Sequence, residues 1–353
     1  MVMLGHLRSI MFPPYQELSH PTIIDRLFYF ITGYGYECVI IFFVLSGYFV
    51  GGAFMRNFQP TDLPAHIIKY SINRITRLWV VLIPALLLTL GLDLLGRLYS
   101  PTAAIYHDPN FFNFIHPSND IRLVTLVGNL FFLQTVLVPT FGSNTPLWSL
   151  ANEFWYYLLF PFLILCWYPS IQFRRKIIFF LISGCLCFFL QLQNSSMMQG
   201  FLIWLTGFGV YLIIPHLKIN KLFSHFLILL FISTMVIIRS NGFPYQDLTL
   251  GIATGALLIG IGNFDFSITR WASEFLSKIS YTLYLIHLPI IIFCKAVICP
   301  GKILQTTLEG YLIFVSLVLI ILALSFAMYW LFERRTDEVK KYIIHSFGIK
   351  KSF

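Results

Sequence analysis

The stretch GYLIFVSLVLIILALSFAMYWLF, from Gly310 to Phe332, settles the class of the molecule. It holds no charged side chain, and it is bounded by Glu309 before it and by Glu333, Arg334 and Arg335 after it. Crossing the hydrocarbon of a bilayer takes about 20 apolar residues in a helix, so this run is long enough to span. Comparable runs lie at 36–55, 76–96, 123–138, 148–167, 177–191, 199–214, 223–238, 249–262 and 279–298, with a shorter one from Met1 to Phe12. In lipid every backbone N–H and C=O must be satisfied within the segment, which makes the runs helices. The expectation is an all-α polytopic membrane protein with about ten transmembrane helices.

Composition agrees. Of 353 residues 58% are hydrophobic, 18% aromatic and 11% charged, against about 25% charged in soluble domains. Ten spans use about 200 positions, which leaves no room for a second soluble domain. The net charge of +9 does not imply nucleic acid, because the lysines and arginines flank apolar runs instead of forming a basic stripe interleaved with aromatics. Cys38, Cys166, Cys185, Cys187, Cys294 and Cys299 form no C-x-x-C pair, so neither a metal site nor a disulfide framework is expected. The start of the chain lacks the charged, apolar and small-residue regions of a cleavable signal peptide.

Charge sets the expected topology. If the run at 123–138 dips into the membrane and returns as a re-entrant segment, one face receives Arg56, Lys69, Arg74, Arg77, Arg174, Arg175, Lys176, Lys218, Lys221, Arg270, Lys278, Arg334, Arg335, Lys340, Lys341, Lys350 and Lys351. That is 17 of the 24 basic residues. The positive-inside bias makes this face cytoplasmic, with both termini on it. The outer face then carries a loop from Leu98 to Arg122, with Tyr106, His107, Asp108, Pro109, His116, Pro117 and Asp120, and a second piece from Pro139 to Pro146. These residues either meet a polar substrate or simply end helices. The spacings Gly47 to Gly51 and Gly251 to Gly255 indicate close helix packing.

Ionisable groups inside the apolar runs are few, and each needs a partner or a role: His6, Glu37, Asp93, Glu153 and His287. An imidazole at His6 can take a proton from a hydroxyl nucleophile; the competing reading is a packed, hydrogen-bonded histidine. Glu153 lies one turn beyond Ser149, near a helix start marked by Pro146, and either orients a histidine, binds substrate hydroxyls, or pairs with a buried arginine. Arg74 and Arg77, spaced i, i+3, present two guanidinium groups on one helical face, suited to phosphate or to topological anchoring.

Four stretches in order carry a family resemblance: Phe42-Phe-Val-Leu-Ser-Gly-Tyr, Arg74-Ile-Thr-Arg77-Leu, Pro146-Leu-Trp-Ser-Leu-Ala-Asn-Glu153-Phe-Trp-Tyr-Tyr-Leu-Leu-Phe-Pro, and Ser280-Tyr-Thr-Leu-Tyr-Leu-Ile-His287-Leu-Pro. With these the chain resembles the acyltransferase-3 family of integral membrane acyltransferases. The resemblance implies an enzyme that moves an acyl group, usually acetyl, from cytoplasmic acyl-CoA to a hydroxyl of a carbohydrate, exopolysaccharide, lipopolysaccharide or lipid-linked glycan, in a bacterial inner membrane. It implies His6 and Glu153 as catalytic, Arg74 and Arg77 as binding the coenzyme phosphates, and Trp148, Ser149, Tyr281 and His287 as substrate contacts. Acyl-CoA is then a co-substrate and no cofactor is permanently bound; membrane lipids are the other partner. The implied domain covers 1–335, with a basic cytoplasmic tail at 336–353.

Three positions depart from the family pattern. The family's arginine eleven residues before the histidine would precede Met1, so the first helix reads as truncated. Ile40 stands where an acid is common, and Val80 where proline is common. Transfer proceeds either directly, with His6 as general base, or through an acyl-histidine. A transporter or flippase using His6, Glu37, Asp93 and Glu153 as a path, and an inactive scaffold, are the competing functions.

Overall fold

A computed structural model describes residues 1–56, 58, 62–107, 118–262, 264, 270–297, 300–301 and 303–346. Asp108, Pro109, His116, Pro117, Cys299, Lys350, Lys351 and the Arg270 side chain lie outside the described residues. The described chain is helical, and no strand occurs in it. In order the helices are α1 (Val2–Met11), α2 (Ile23–Ile31), α3 (Gly35–Ser46), a π-helical turn (Gly47–Gly51), α4 (Gly52–Arg56), α5 (Leu63–Tyr99), α6 (Leu123–Leu130), α7 (Leu147–Trp167) and α8 (Phe173–Gln193). There follow α9 (Ser195–Ile213), α10 (Lys221–Asn241), α11 (Gln246–Ile261), α12 (Arg270–Val297), α13 (Leu308–Leu331) and α14 (Thr336–Ser346).

Among the described residues eight helices are long and apolar enough to cross a membrane, and α11 is a shorter apolar helix. The first of the eight runs from Ile23 to Arg56, so the span expected at 36–55 begins earlier, with α2. Thr22 and Asp25 form a capping box that starts α2, a local signal the apolar runs do not register. The run at 123–138 does turn back. Helix α6 has eight residues, about 12 Å of rise and far short of a bilayer. Positive φ angles at Phe132 (58°) and Thr135 (64°) then reverse the chain. Asn129 clamps the return, donating to the Pro139 carbonyl at 2.9 Å and accepting from the Phe141 N–H at 3.0 Å.

The chain forms two compact units. The first comprises Met1–Gly35, Ser71–Leu150 and Thr269–Phe353. In it α1 packs on α12 and α13. Phe12, at the end of α1, meets Phe28, Tyr311 and Phe314, and the Met11 carbonyl accepts from the Leu304 N–H at 2.7 Å. Asp93 of α5 is fully buried and accepts from the Ser143 N–H at 2.8 Å and hydroxyl at 2.6 Å. Next to it the chain needs glycine: Gly142 has φ +55°, and a Cβ there would lie 2.2 Å from the Asp93 carboxylate.

The second unit comprises Tyr36–Tyr70 and Ala151–Ile268. Both G-x-x-x-G segments pack there on α9. A Cβ on Gly47 would fall 1.8 Å from the Trp204 carbonyl oxygen, while Gly251 and Gly255 lie against Ile203 and Val210. Small residues let these backbones approach in the absence of a hydrophobic driving force between helices.

Candidate active site

The first unit gathers most of the expected site residues. His6 lies midway along the ten-residue α1, half-buried. Its Nδ1 is 2.8 Å from Nε2 of His287 in α12. The ring planes lie 12° from parallel with centroids 5.1 Å apart, the edge-to-edge arrangement that an in-plane bond gives. His287 is fully buried, and its Nδ1 faces the carbonyls of Leu283 (3.1 Å) and Tyr284 (2.8 Å) one turn back. Expected among the substrate contacts, His287 has both ring nitrogens engaged within the protein.

Pro289 explains part of this architecture. A proline inside a helix has no N–H, so the carbonyl four residues earlier loses its helical partner. That carbonyl is Leu285, and it accepts from the Asn144 side-chain amide at 2.8 Å. The same amide reaches the Thr89 hydroxyl at 3.1 Å. The loop before α7 is thereby tied to α5 and α12, and it delivers the first turn of α7. There the Ser149 hydroxyl lies 2.6 Å from that of Tyr284, whose ring centroid is 5.8 Å from the His287 ring. Trp148 is half-buried on the same turn.

At the other end of this unit's α5 segment, Arg77 is exposed and Arg74 half-buried. The neighbouring Leu78 carbonyl accepts from the Tyr281 hydroxyl at 3.1 Å. Glu333 accepts from the Thr282 hydroxyl at 2.6 Å and interacts electrostatically with Arg77. Tyr281 and His287 are six residues apart on α12, about 9 Å along its axis. The arginine level and the imidazole level are thus joined by under two turns of one helix.

The described part of the loop from Leu98 to Arg122 is locally built. Arg122 grips the Asp120 carboxylate through Nε (3.0 Å) and a terminal nitrogen (2.7 Å), and Thr125 adds its hydroxyl at 2.8 Å. The guanidinium beside Asp120 holds that carboxyl well below the usual carboxylate range. Tyr106 is buried against Gly96. These bonds account for Asp120 as part of the loop's own structure, and Tyr106 anchors the loop by packing on α5.

Glu153 belongs to the second unit. It is buried and accepts from the Ser46 hydroxyl at 2.7 Å and from the Tyr157 hydroxyl. The Trp204 indole donates to Ser46 at 3.1 Å. Pro161 repeats the proline arrangement: the carbonyl it frees is Tyr157, which accepts from the Tyr70 hydroxyl at 3.1 Å. Ser46, inside the Phe42 to Tyr48 stretch and directly before the π-helical turn, is a partner sequence reading did not name.

The quoted stretches therefore meet in pairs, Ser46 with Glu153, Leu78 with Tyr281, and Ser149 with Tyr284. A family model described as an acyltransferase domain, that of acyltransferase-3, matches residues 1–330. No curated protein and no solved structure matches the chain significantly. A polytopic helical chain that matches this domain over nearly all its length belongs to the acyltransferase-3 family and is an integral membrane O-acyltransferase.

Proposed function

We propose that the protein moves an acetyl group from cytoplasmic acetyl-CoA to a hydroxyl of a cell-envelope carbohydrate or lipid-linked glycan, in a bacterial inner membrane with both termini cytoplasmic. The observation that carries this reading is the 2.8 Å bond between His6 and His287. It gives a half-buried imidazole a fixed orientation in a membrane interior, which is what a general base for a hydroxyl requires. In the reaction His6 takes the acceptor's O–H proton as its oxygen attacks the thioester carbonyl. The tetrahedral intermediate then expels the coenzyme thiolate, which takes the proton from the His6 imidazolium and restores the neutral base, and the new ester leaves.

Arg74 and Arg77 take the coenzyme phosphates, for which guanidinium groups supply paired donors. The pantetheine arm is long and flexible enough to cover the distance to the imidazole level. Ser149, Trp148 and Tyr281 line the acceptor's approach, and the buried Glu153 carboxyl of the second unit is the second group on which transfer depends. Membrane vesicles given labelled acetyl-CoA on the cytoplasmic side test the proposal. Label on a glycan that disappears in His6→Ala is the expected result, whereas undiminished label in His6→Ala rejects the histidine mechanism. A solute moved without label rejects transfer altogether.

A further inference from the structure

We infer that His287 is a positioning residue that fixes the tautomer of His6, with the proton on His6 Nδ1 and the lone pair on His6 Nε2. One end of this chain of bonds has fixed donor and acceptor roles. Carbonyl oxygens only accept hydrogen bonds, so the His287 Nδ1 that faces Leu283 O at 3.1 Å and Tyr284 O at 2.8 Å carries a proton. In a neutral imidazole the other nitrogen is then an acceptor. His287 Nε2 must therefore receive the 2.8 Å bond, and His6 Nδ1 must donate it. The remaining His6 nitrogen, Nε2, is left with its lone pair on the half-buried ring, while His287 is fully enclosed.

The alternative assignment puts a second proton on His287, making it a fully buried cation with two backbone carbonyls and an imidazole as its hydrogen-bond partners. An ionised group at that depth is costly. The neutral relay needs no charge until the reaction begins. As His6 Nε2 takes the hydroxyl proton, the positive charge spreads to its Nδ1–H, whose bond to His287 is already made. Pro289 supports the arrangement from below: the Leu285 carbonyl it frees is tied to Asn144, which fixes this turn of α12 to the loop before α7.

The inference rests on His6 acting as general base, and the test separates the two. Acetyl transfer by the full chain in membranes is compared among His287→Gln, His287→Asn and His287→Leu, with His6→Ala beside them. Glutamine puts an acceptor oxygen where His287 Nε2 stands, whereas asparagine replaces only the atom facing the carbonyls. The Gln form is expected to keep kcat within about tenfold, while the Asn and Leu forms lose about 100-fold or more, the usual scale for a mispositioned base. KM for acetyl-CoA should stay unchanged in all three. Equal kcat in the Leu form, or rescue by Asn with loss in Gln, overturns the positioning role; transfer surviving in His6→Ala overturns the base instead. In the wild-type chain carrying 15N-histidine, nitrogen chemical shifts must give a protonated Nδ1 and an unprotonated Nε2 on His6. The reverse pattern overturns the inference whether or not any variant folds.

Discussion

Two helices of this protein carry a proline a few residues beyond their buried ionisable group, and each freed carbonyl is capped from another element. In α7 the group is Glu153, the proline Pro161, and the cap the Tyr70 hydroxyl. In α12 the group is His287, the proline Pro289, and the cap the Asn144 amide. The difference lies in what the group is bonded to. Glu153 is held by the hydroxyls of Ser46 and Tyr157, which keep their protons near neutrality. His287 is held against a second imidazole, and only imidazole has an unperturbed titration in that range. The same backbone device thus supports a hydroxyl-bonded carboxyl in one unit and an imidazole pair in the other. A carboxylate locked by hydroxyls can bias a reaction, but a half-buried imidazole can take part in it.

That contrast is broken most severely at His6. His6→Ala should lower kcat by about 10²–10⁴, the usual contribution of a positioned general base. The protein should still insert and accumulate in the membrane, so quantified membrane abundance beside the labelled-acetyl assay checks both halves of the statement. Next in size is Glu153→Gln. The substitution keeps an oxygen for Ser46 and Tyr157 and removes only the ionisable acid, so we expect kcat to fall about 10- to 100-fold, about 1.4–2.7 kcal/mol, with little loss of thermal stability. Glu153→Ala, by contrast, leaves buried hydroxyls without their acceptor at about 1–3 kcal/mol each, and should show as a lower melting temperature in detergent. If Gln and Ala lose equal activity per folded molecule, the ionisable acid is what the residue supplies.

The arginines sharpen the comparison from the donor side. Arg77→Ala should raise KM for acetyl-CoA about tenfold and leave kcat nearly unchanged, because a contact to the coenzyme phosphates is made equally in ground and transition states. Steady-state kinetics with varied acetyl-CoA distinguish this from a structural effect through Glu333, which would lower stability and kcat together.

Much of this was legible before the fold. Apolar runs located the spans because length against bilayer thickness is a one-dimensional property, and the dip at 123–138 followed from where the basic residues would otherwise fall. The G-x-x-x-G spacings marked two places of close helix packing, whose common partner, α9, they did not name. The pairings were not legible. His6 and His287 are separated by 281 positions, and no periodicity connects them, so His287 read as a substrate contact. The prolines were visible as letters, but which side chain caps a freed carbonyl depends on tertiary approach. Asp93 shows the opposite lesson. As a lone acid in an apolar run it suggested a solute path, yet both its oxygens are taken up by Ser143.

Asp93 also supplies the substitution with the smallest expected effect on transfer. Ser143 binds the Asp93 carboxylate twice, by N–H at 2.8 Å and by hydroxyl at 2.6 Å. Ser143→Ala removes the second bond and leaves the first, in a site closed to solvent on both sides. A hydrogen bond is worth about 0.5–1.5 kcal/mol net, so the variant should unfold more readily by about that amount. The loop it belongs to is independently fastened, through Asn144 to Thr89 and Leu285 and through the Gly142 N–H to the Asp120 carbonyl. Its path into α7 should survive, and with it the turn that carries Ser149. Transfer per folded molecule in Ser143→Ala is therefore expected to match wild type even as the melting temperature drops. A fall in kcat without a fall in stability would instead place Asp93 in the chemistry, and would restore to the first unit a carboxylate of the kind that Glu153 provides in the second.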